Sequence, residues 1–197
     1  MADVKDLREK MARLATEARS KLAEVTDKTD ETRAAEQGLA IAQSNLGVAL
    51  REGRGVIRND PEAVRWFTLA ADQGDDVGQN NLAFMLAQGR GATQNLPEAV
   101  QWWRRAAEQG NAHAQFNLGL ALEGGRGVAP DEPKAVYWYR RAAEQGHAPA
   151  QNNLGVMLEN GRGTPPNLEE AVMWYQRAAR QNRPLAQEHL RRLNRSW

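Results

Sequence analysis

The pentad A-A-[DE]-Q-G begins at Ala34, Ala70, Ala106 and Ala142, and each start lies 36 residues after the last, without an insertion. A degenerate copy, AARQN, begins at Ala178. A fixed period of this length marks a repeat architecture, in which one supersecondary unit stacks on copies of itself. Most of the unit superimposes. A glutamine recurs at Gln43, Gln79, Gln115 and Gln151, and an Asn-Leu pair follows at 45–46, 81–82, 117–118 and 153–154. The next position holds Gly47, Ala83, Gly119 and Gly155. A G-R-G run closes this half at 53–55, 89–91, 125–127 and 161–163. In the second half an Ala-Val pair is followed by Trp66, Trp102, Trp138 and Trp174.

Both halves carry the helical period. In the fourth unit Ala150, Leu154, Met157, Leu158 and Gly161 recur at spacings of three and four, and so do Ala171, Trp174, Tyr175 and Ala178. The spacing predicts helices over about 149–160 and 168–180. Pro61, Pro97 and Pro133 sit near the start of the second helix, where a missing N–H costs little. Asn59 or Asp60 supplies a cap there. Gly38, Gly74, Gly110 and Gly146 terminate the preceding helix. One such hairpin cannot bury both its faces, but a stack of them forms a continuous core. The expected fold is therefore all-α: a solenoid of four 36-residue helix hairpins (34–69, 70–105, 106–141, 142–177) with a C-terminal half repeat, 178–197, as a cap.

Glycine inside a helix costs roughly 0.5–1 kcal/mol against alanine. Its recurrence at Gly47, Gly119 and Gly155 implies a bulky ring of the same or a neighbouring hairpin lying on the backbone. The G-R-G run lacks the preceding strand and the lysine-serine or lysine-threonine pair of a phosphate loop, and reads as a hairpin turn. Its arginines, Arg54, Arg90, Arg126 and Arg162, are placed to pair with carboxylates of an adjacent loop; a ridge of them would also suit an acidic peptide. Asn45, Asn81, Asn117 and Asn153 lie beside core leucines and need partners. They either bond to loop backbone or line a peptide-binding surface. The four repeated tryptophans read as core anchors.

The pattern A-x-A-Q-x-N-L-G-x-x-L-E-x-G-x-G, followed by E-A-V-x-W-Y-R-x-A-A-E-Q-G, closely resembles the Sel-like repeat family, a relative of the tetratricopeptide repeats. The resemblance covers about residues 34–180, with Gly78 and Ala83 in the second unit replacing the usual Ala and Gly. It implies a right-handed superhelix with a concave, partner-binding face, and a role as adaptor or scaffold. Positions that differ between units carry any specificity. On the first helices these include Ser44, Asn80, Phe116 and Asn152, then Val48, Phe84, Leu120 and Val156, then Arg51, Ala87, Glu123 and Glu159. The candidate partner-binding residues are Asn80, Phe84, Phe116, Leu120, Asn152, Val156 and Glu159, with the aromatic pair foremost.

Residues 1–33 lie outside the repeat. Val4, Leu7, Met11, Leu14, Ala18, Leu22 and Val25 form an apolar stripe, and a polar linker, TDKTDETR, follows. This amphipathic helix is open to three readings: a cap on the array, a homodimer contact through residues 4–25, or a docking helix. Its stretch LREKMARLATEARSKLAEVTD also resembles the leading scaffold helix of tailed-phage major capsid proteins, which implies a prophage- or capsid-associated role.

Charge is balanced, with 26 basic and 25 acidic residues, so neither nucleic acid nor an anionic membrane is the expected partner. The C-terminal segment is arginine-rich but lacks the interleaved aromatics of a single-strand binder, apart from Trp197. No apolar run approaches the roughly 20 residues of a membrane span. The charged start, MADVKDLREK, does not read as a secretory signal, and a cytoplasmic protein is expected. There is no cysteine, and the three histidines lack the further ligands of a zinc site. Neither enzymatic activity nor a cofactor is expected. Two functions follow: a non-enzymatic adaptor that binds a protein or peptide on the concave face, or a regulatory or structural subunit that docks through its N-terminal helix.

Overall fold

The computed structural model describes residues 30 and 32–196. The stripe at residues 4–25, with its dimer, docking and capsid readings, lies outside them. The helices in chain order are α1 (Ala40–Glu52), α2 (Asp60–Asp72), α3 (Asp76–Gln88), α4 (Leu96–Glu108), α5 (Ala112–Gly124), α6 (Glu132–Glu144), α7 (Ala148–Asn160), α8 (Leu168–Arg180) and α9 (Pro184–Arg192). Residues 32–36 are also helical, and no strand occurs among the described residues. The fourth pair, α7 and α8, falls within a residue of the spans that periodicity predicts.

Local chemistry sets the helix ends. Asn59, Asn95, Asp131 and Asn167 each accept a backbone N–H three residues on, at 3.0–3.2 Å, and so cap α2, α4, α6 and α8. Asn59, rather than Asp60, is thus the cap, which frees the Asp60 carboxylate for other partners. The first helices end on left-handed glycines such as Gly89, φ 64°.

Contacts run between chain neighbours, α1 on α2, α2 on α3 and onward to α9, as in a solenoid of paired helices. One core runs along the pairs. Its floor is small: Ala63, Ala99, Ala135 and Ala171 are fully buried, as are Ala70, Ala106, Ala142 and Ala178. Rings fill the remaining space. The repeated tryptophans do so unevenly, with Trp66 and Trp174 buried but Trp102 and Trp138 only half-buried. The fully buried rings stand one residue later, at Phe67, Tyr139 and Tyr175, with the buried Trp103 in the same register. They belong to the same hairpin as the helix glycines. A Cβ on Gly47 would lie 2.6 Å from Phe67, one on Gly119 2.7 Å from Tyr139, and one on Gly155 2.6 Å from Tyr175. The ring excludes the methyl group, which explains glycine in mid-helix.

The glutamines, not the asparagines, clamp the turns. Gln43, Gln79, Gln115 and Gln151 are buried, and each donates its side-chain amide to the carbonyl of Ala35, Ala71, Ala107 or Ala143 at 3.1–3.3 Å. Each then accepts from Gln73, Gln109, Gln145 or Gln181 at 2.8–3.0 Å. Every first helix is thereby tied to the second helices on both sides. At the N-terminal end the tie reaches Ala35, which is buried with Leu46 and Trp66. At the C-terminal end α9 buries Ala186 and Leu190, and Gln187 repeats the clamp on Ala179.

Candidate functional site

The first helices carry the residues that differ between hairpins. On α1, α3 and α5 these residues line two adjoining hollows. The larger, about 560 Å³, is lined by Arg51, Asn80, Asn81, Phe84, Arg90, His113 and Asn117, among others. The smaller, about 230 Å³, is lined by Phe84, Ala87, Leu96, Trp103, Asn117, Leu120 and Arg126, among others. Phe84 and Asn117 border both.

The asparagines hold this surface laterally. Asn81 donates to the Val77 carbonyl of its own helix at 2.9 Å and accepts from Arg51 at 2.6 Å. Asn117 donates to Asn80 Oδ1 at 3.2 Å. These bonds run between first helices and along α3. The loop-backbone role expected of the asparagines belongs to the glutamines.

Two of the turn arginines, Arg90 and Arg162, meet the preceding hairpin. Arg90 holds Asp60 through Nε at 3.2 Å and Nη2 at 3.0 Å. Arg58 grips the same carboxylate at 2.8 Å, and together the two guanidiniums keep the Asp60 carboxyl well below the usual range. Arg162 holds Glu132 at 2.7 Å and Glu123 at 2.8 Å. The second glycine of the turn permits this approach: a Cβ on Gly91 would run into the Asp60 carbonyl.

A ring and a carboxylate are matched within hairpins. Tyr139 donates its hydroxyl to Glu123 Oε2 at 2.6 Å, and Tyr175 donates to Glu159 Oε2 at 2.9 Å. Burial, then the carboxylate, pushes both phenols above their ordinary range. Burial works against the charge of Glu159, but Arg192 and Tyr175 outweigh it and its carboxyl is lowered. Where the ring is Phe67 the matching position is Arg51, and where it is Trp103 the position is Ala87.

Of the residues singled out by sequence, Asn80, Phe84 and Leu120 come together in the two hollows. Phe116 turns elsewhere, with ring centroids 4.8 Å from His147 and 6.0 Å from Tyr139. Asn152 is 6% exposed and touches Asn153 at 3.4 Å. Val156 packs half-buried on the core. Glu159 is engaged internally by Tyr175 and Arg192. Among the other lining residues, sequence marks Arg90 and Arg126 as part of an arginine ridge suited to an acidic peptide, Arg51 as a varying position and His113 only as a histidine without further metal ligands; Trp103 it does not select. The 36-residue register was the signal for Trp103, which aligns with Phe67, Tyr139 and Tyr175.

His113 and His147 meet at the border of the third and fourth hairpins. His147 caps α7, its Nδ1 accepting from Ala150 N at 3.3 Å. The ring proton therefore sits on Nε2 and is donated to His113 Nδ1, 3.2 Å away. Burial, His113 and Arg183 push His147 down to about 4. Among the described residues no group of three or more His, Asp or Glu is placed to hold a metal ion. No helix among them is long and apolar enough to cross a membrane.

Comparison with known proteins follows the same frame. A Sel1 repeat protein from Oxalobacter formigenes is 36% identical, with a TM-score of 0.76, over 83% of this chain and 65% of its own. A protective antigen of uropathogenic Escherichia coli strains, displaying an SLR fold, is 36% identical with a TM-score of 0.77 over 81% of this chain. The match spans only 34% of the antigen's length. An immunity protein from Pseudomonas aeruginosa shares the fold at 25% identity, with a TM-score of 0.52, over 77% of this chain and 56% of its own. No match was found among curated proteins. The Sel1 repeat itself matches four times, at residues 40–75, 77–111, 112–147 and 148–182, and the chain belongs to the Sel1 repeat family.

Proposed function

We propose that the protein is a non-enzymatic adaptor that binds a protein or peptide along the first helices, on the concave face of a right-handed superhelix. In this reading the array is four 36-residue hairpins closed by a C-terminal half repeat. Solenoids of this kind generally act as protein–protein interaction scaffolds. The observation that carries the proposal is the pair of hollows meeting at Phe84, an aromatic side chain flanked by Asn80, Asn117 and Leu120. An aromatic anchor between polar groups is the arrangement that concentrates binding energy. In the same proposal the partner is met in the cytoplasm.

Affinity capture from the native cytoplasm tests this. Phe84→Ala should weaken capture of the partner at least about tenfold. Phe116→Ala, whose ring lies outside both hollows, should leave capture intact. Equal capture by wild type and Phe84→Ala would sink the groove. Loss of capture on deleting residues 1–29, with the array folded, would move the site to the N-terminal segment and its docking role.

A further inference from the structure

The third hairpin shows what the second lacks. Glu123 joins two donors: Arg162 at 2.8 Å and the Tyr139 hydroxyl at 2.6 Å. Glu159 does the same for Arg192 and Tyr175. One repeat earlier the two donors remain and the carboxylate is gone. Arg126 stands where Arg162 stands, and Trp103 where Tyr139 stands, but Glu123 is replaced by Ala87 and Glu132 by Leu96. Trp103 is 8% exposed, and its indole nitrogen has no hydrogen-bond partner among the described residues. Arg126 meets no carboxylate among the described residues either, whereas Arg162 in the next turn meets two. Ala87, Trp103 and Arg126 line the same hollow of about 230 Å³.

A buried donor without an acceptor is costly, and a guanidinium lining the same hollow is the strongest carboxylate receptor that side chains offer. We infer that the hollow between α3 and α5 binds a glutamate side chain of the protein partner, its carboxylate taking Arg126 and the Trp103 indole. The template is internal: in the next hairpin that place is taken by a glutamate, with two methylenes between backbone and charge. Phe84, Leu96 and Leu120 give the apolar walls that suit those methylenes and a neighbouring apolar residue. The inference rests on the adaptor reading and names the chemistry of its partner.

The indole ¹H–¹⁵N signal of Trp103, assigned with Trp103→Phe, reports on the hollow directly. Titration with N-acetyl-Leu-Glu-amide should move it saturably, and N-acetyl-Leu-Gln-amide should bind at least about tenfold more weakly. Arg126→Gln should cost a similar factor. Ala87→Glu should shift the signal without peptide and abolish binding, because it supplies the carboxylate from within. Circular dichroism confirms that each variant is folded. Equal binding of the Gln peptide, no saturable shift, or full binding to Ala87→Glu would overturn the inference. So would stronger binding of N-acetyl-leucine, which would make the occupant a chain terminus. If the peptides fail while Phe84→Ala still loses the native partner, the adaptor reading survives and only the carboxylate assignment falls.

Discussion

Gln145 donates its side-chain amide to Gln115 Oε1 at 2.8 Å, although 30 residues separate them. Gln115 in turn donates to the Ala107 carbonyl at 3.1 Å, so one fully buried amide links α4, α5 and α6. Replacing it with leucine removes both bonds, although the Ala107 carbonyl keeps Gly110 N at 3.0 Å and the exposed Gln145 amide keeps the Gly110 carbonyl at 2.9 Å. Gln115→Leu should cost about 1–3 kcal/mol, since each of the two bonds lost is worth about 0.5–1.5. Gln187→Leu, which loses a single bond at the end of the array, should cost about 1 kcal/mol. Urea unfolding of the two variants gives the comparison, and equal losses would remove the clamp's special standing.

Alanine is the better helix former, yet Gly155→Ala should destabilise. The added Cβ meets the Tyr175 ring at 2.6 Å. Overpacking of about 1–3 kcal/mol outweighs a propensity gain of about 0.5–1. Gly124→Ala is the control of opposite sign. Its Cβ meets nothing closer than the Arg126 side chain at 3.5 Å, so it should gain up to about 0.5 kcal/mol near the end of α5. Thermal unfolding of both variants decides whether the ring or the helix governs these positions.

The helix pairs were legible because caps, glycine stops and apolar period agree at most boundaries, the exceptions being the uncapped starts of α1 and α9 and Asn182 in place of a glycine after α8. The repeat also exposed Gly155 as a packing position. Its ring stayed hidden because position matters there and identity does not: Phe67, Trp103, Tyr139 and Tyr175 are four variants of one plug. What varies with the ring is its partner, and Glu123 and Glu159 look like surface residues until the tyrosine hydroxyls are seen to reach them. The clamp was misassigned for a similar reason. Glutamine and asparagine both recur beside core positions, and only the extra methylene of Gln115 lets it span to Ala107 and Gln145. Of the site, Asn80, Phe84 and Leu120 were found through variation between units. Arg126 showed only as one arginine of a ridge suited to an acidic peptide, and Trp103 not at all, because their shared role depends on two carboxylates that are absent.

Acid should weaken the junction of the third and fourth hairpins through His147. Its folded pKa is lowered from 6.5 to about 4 by burial, then by His113 and Arg183. Between those values the unfolded chain binds the proton and the folded chain resists it. The contribution is therefore whole above about 6.5, falls as pH drops towards 4, and levels off below. After discounting for partial exposure it is on the order of 1–2 kcal/mol. His147→Asn keeps an acceptor at the cap, as Asn111 does for Ala114 at 2.9 Å. Stability at pH 7 should stay within about 0.5 kcal/mol, with the loss on acidification reduced by the histidine share. A parallel pH series for wild type and variant tests this, and identical slopes would exclude His147 as the titrating group.

The two glycines of one turn should respond very differently to the same methyl group. Gly89 has φ +64°, and its Cβ would meet the Gln94 Cβ at 3.3 Å, a tight contact that a small shift of the exposed turn relieves. Gly89→Ala should cost about 1–2 kcal/mol, the ordinary penalty of a left-handed alanine. Gly91 has φ +73°, and its Cβ would run into the Asp60 carbonyl and the Pro61 nitrogen, backbone at the start of α2 that cannot yield. The hairpins must part there, and the Arg90–Asp60 pair parts with them. Gly91→Ala should cost more than about 3 kcal/mol, adding overpacking to the same backbone strain. Hydrogen exchange should localise its effect to the α2–α3 junction and leave α7 and α8 protected, because a solenoid passes strain to its nearest neighbours first. Uniform loss of protection along the array would show instead that the chain unfolds as one cooperative body.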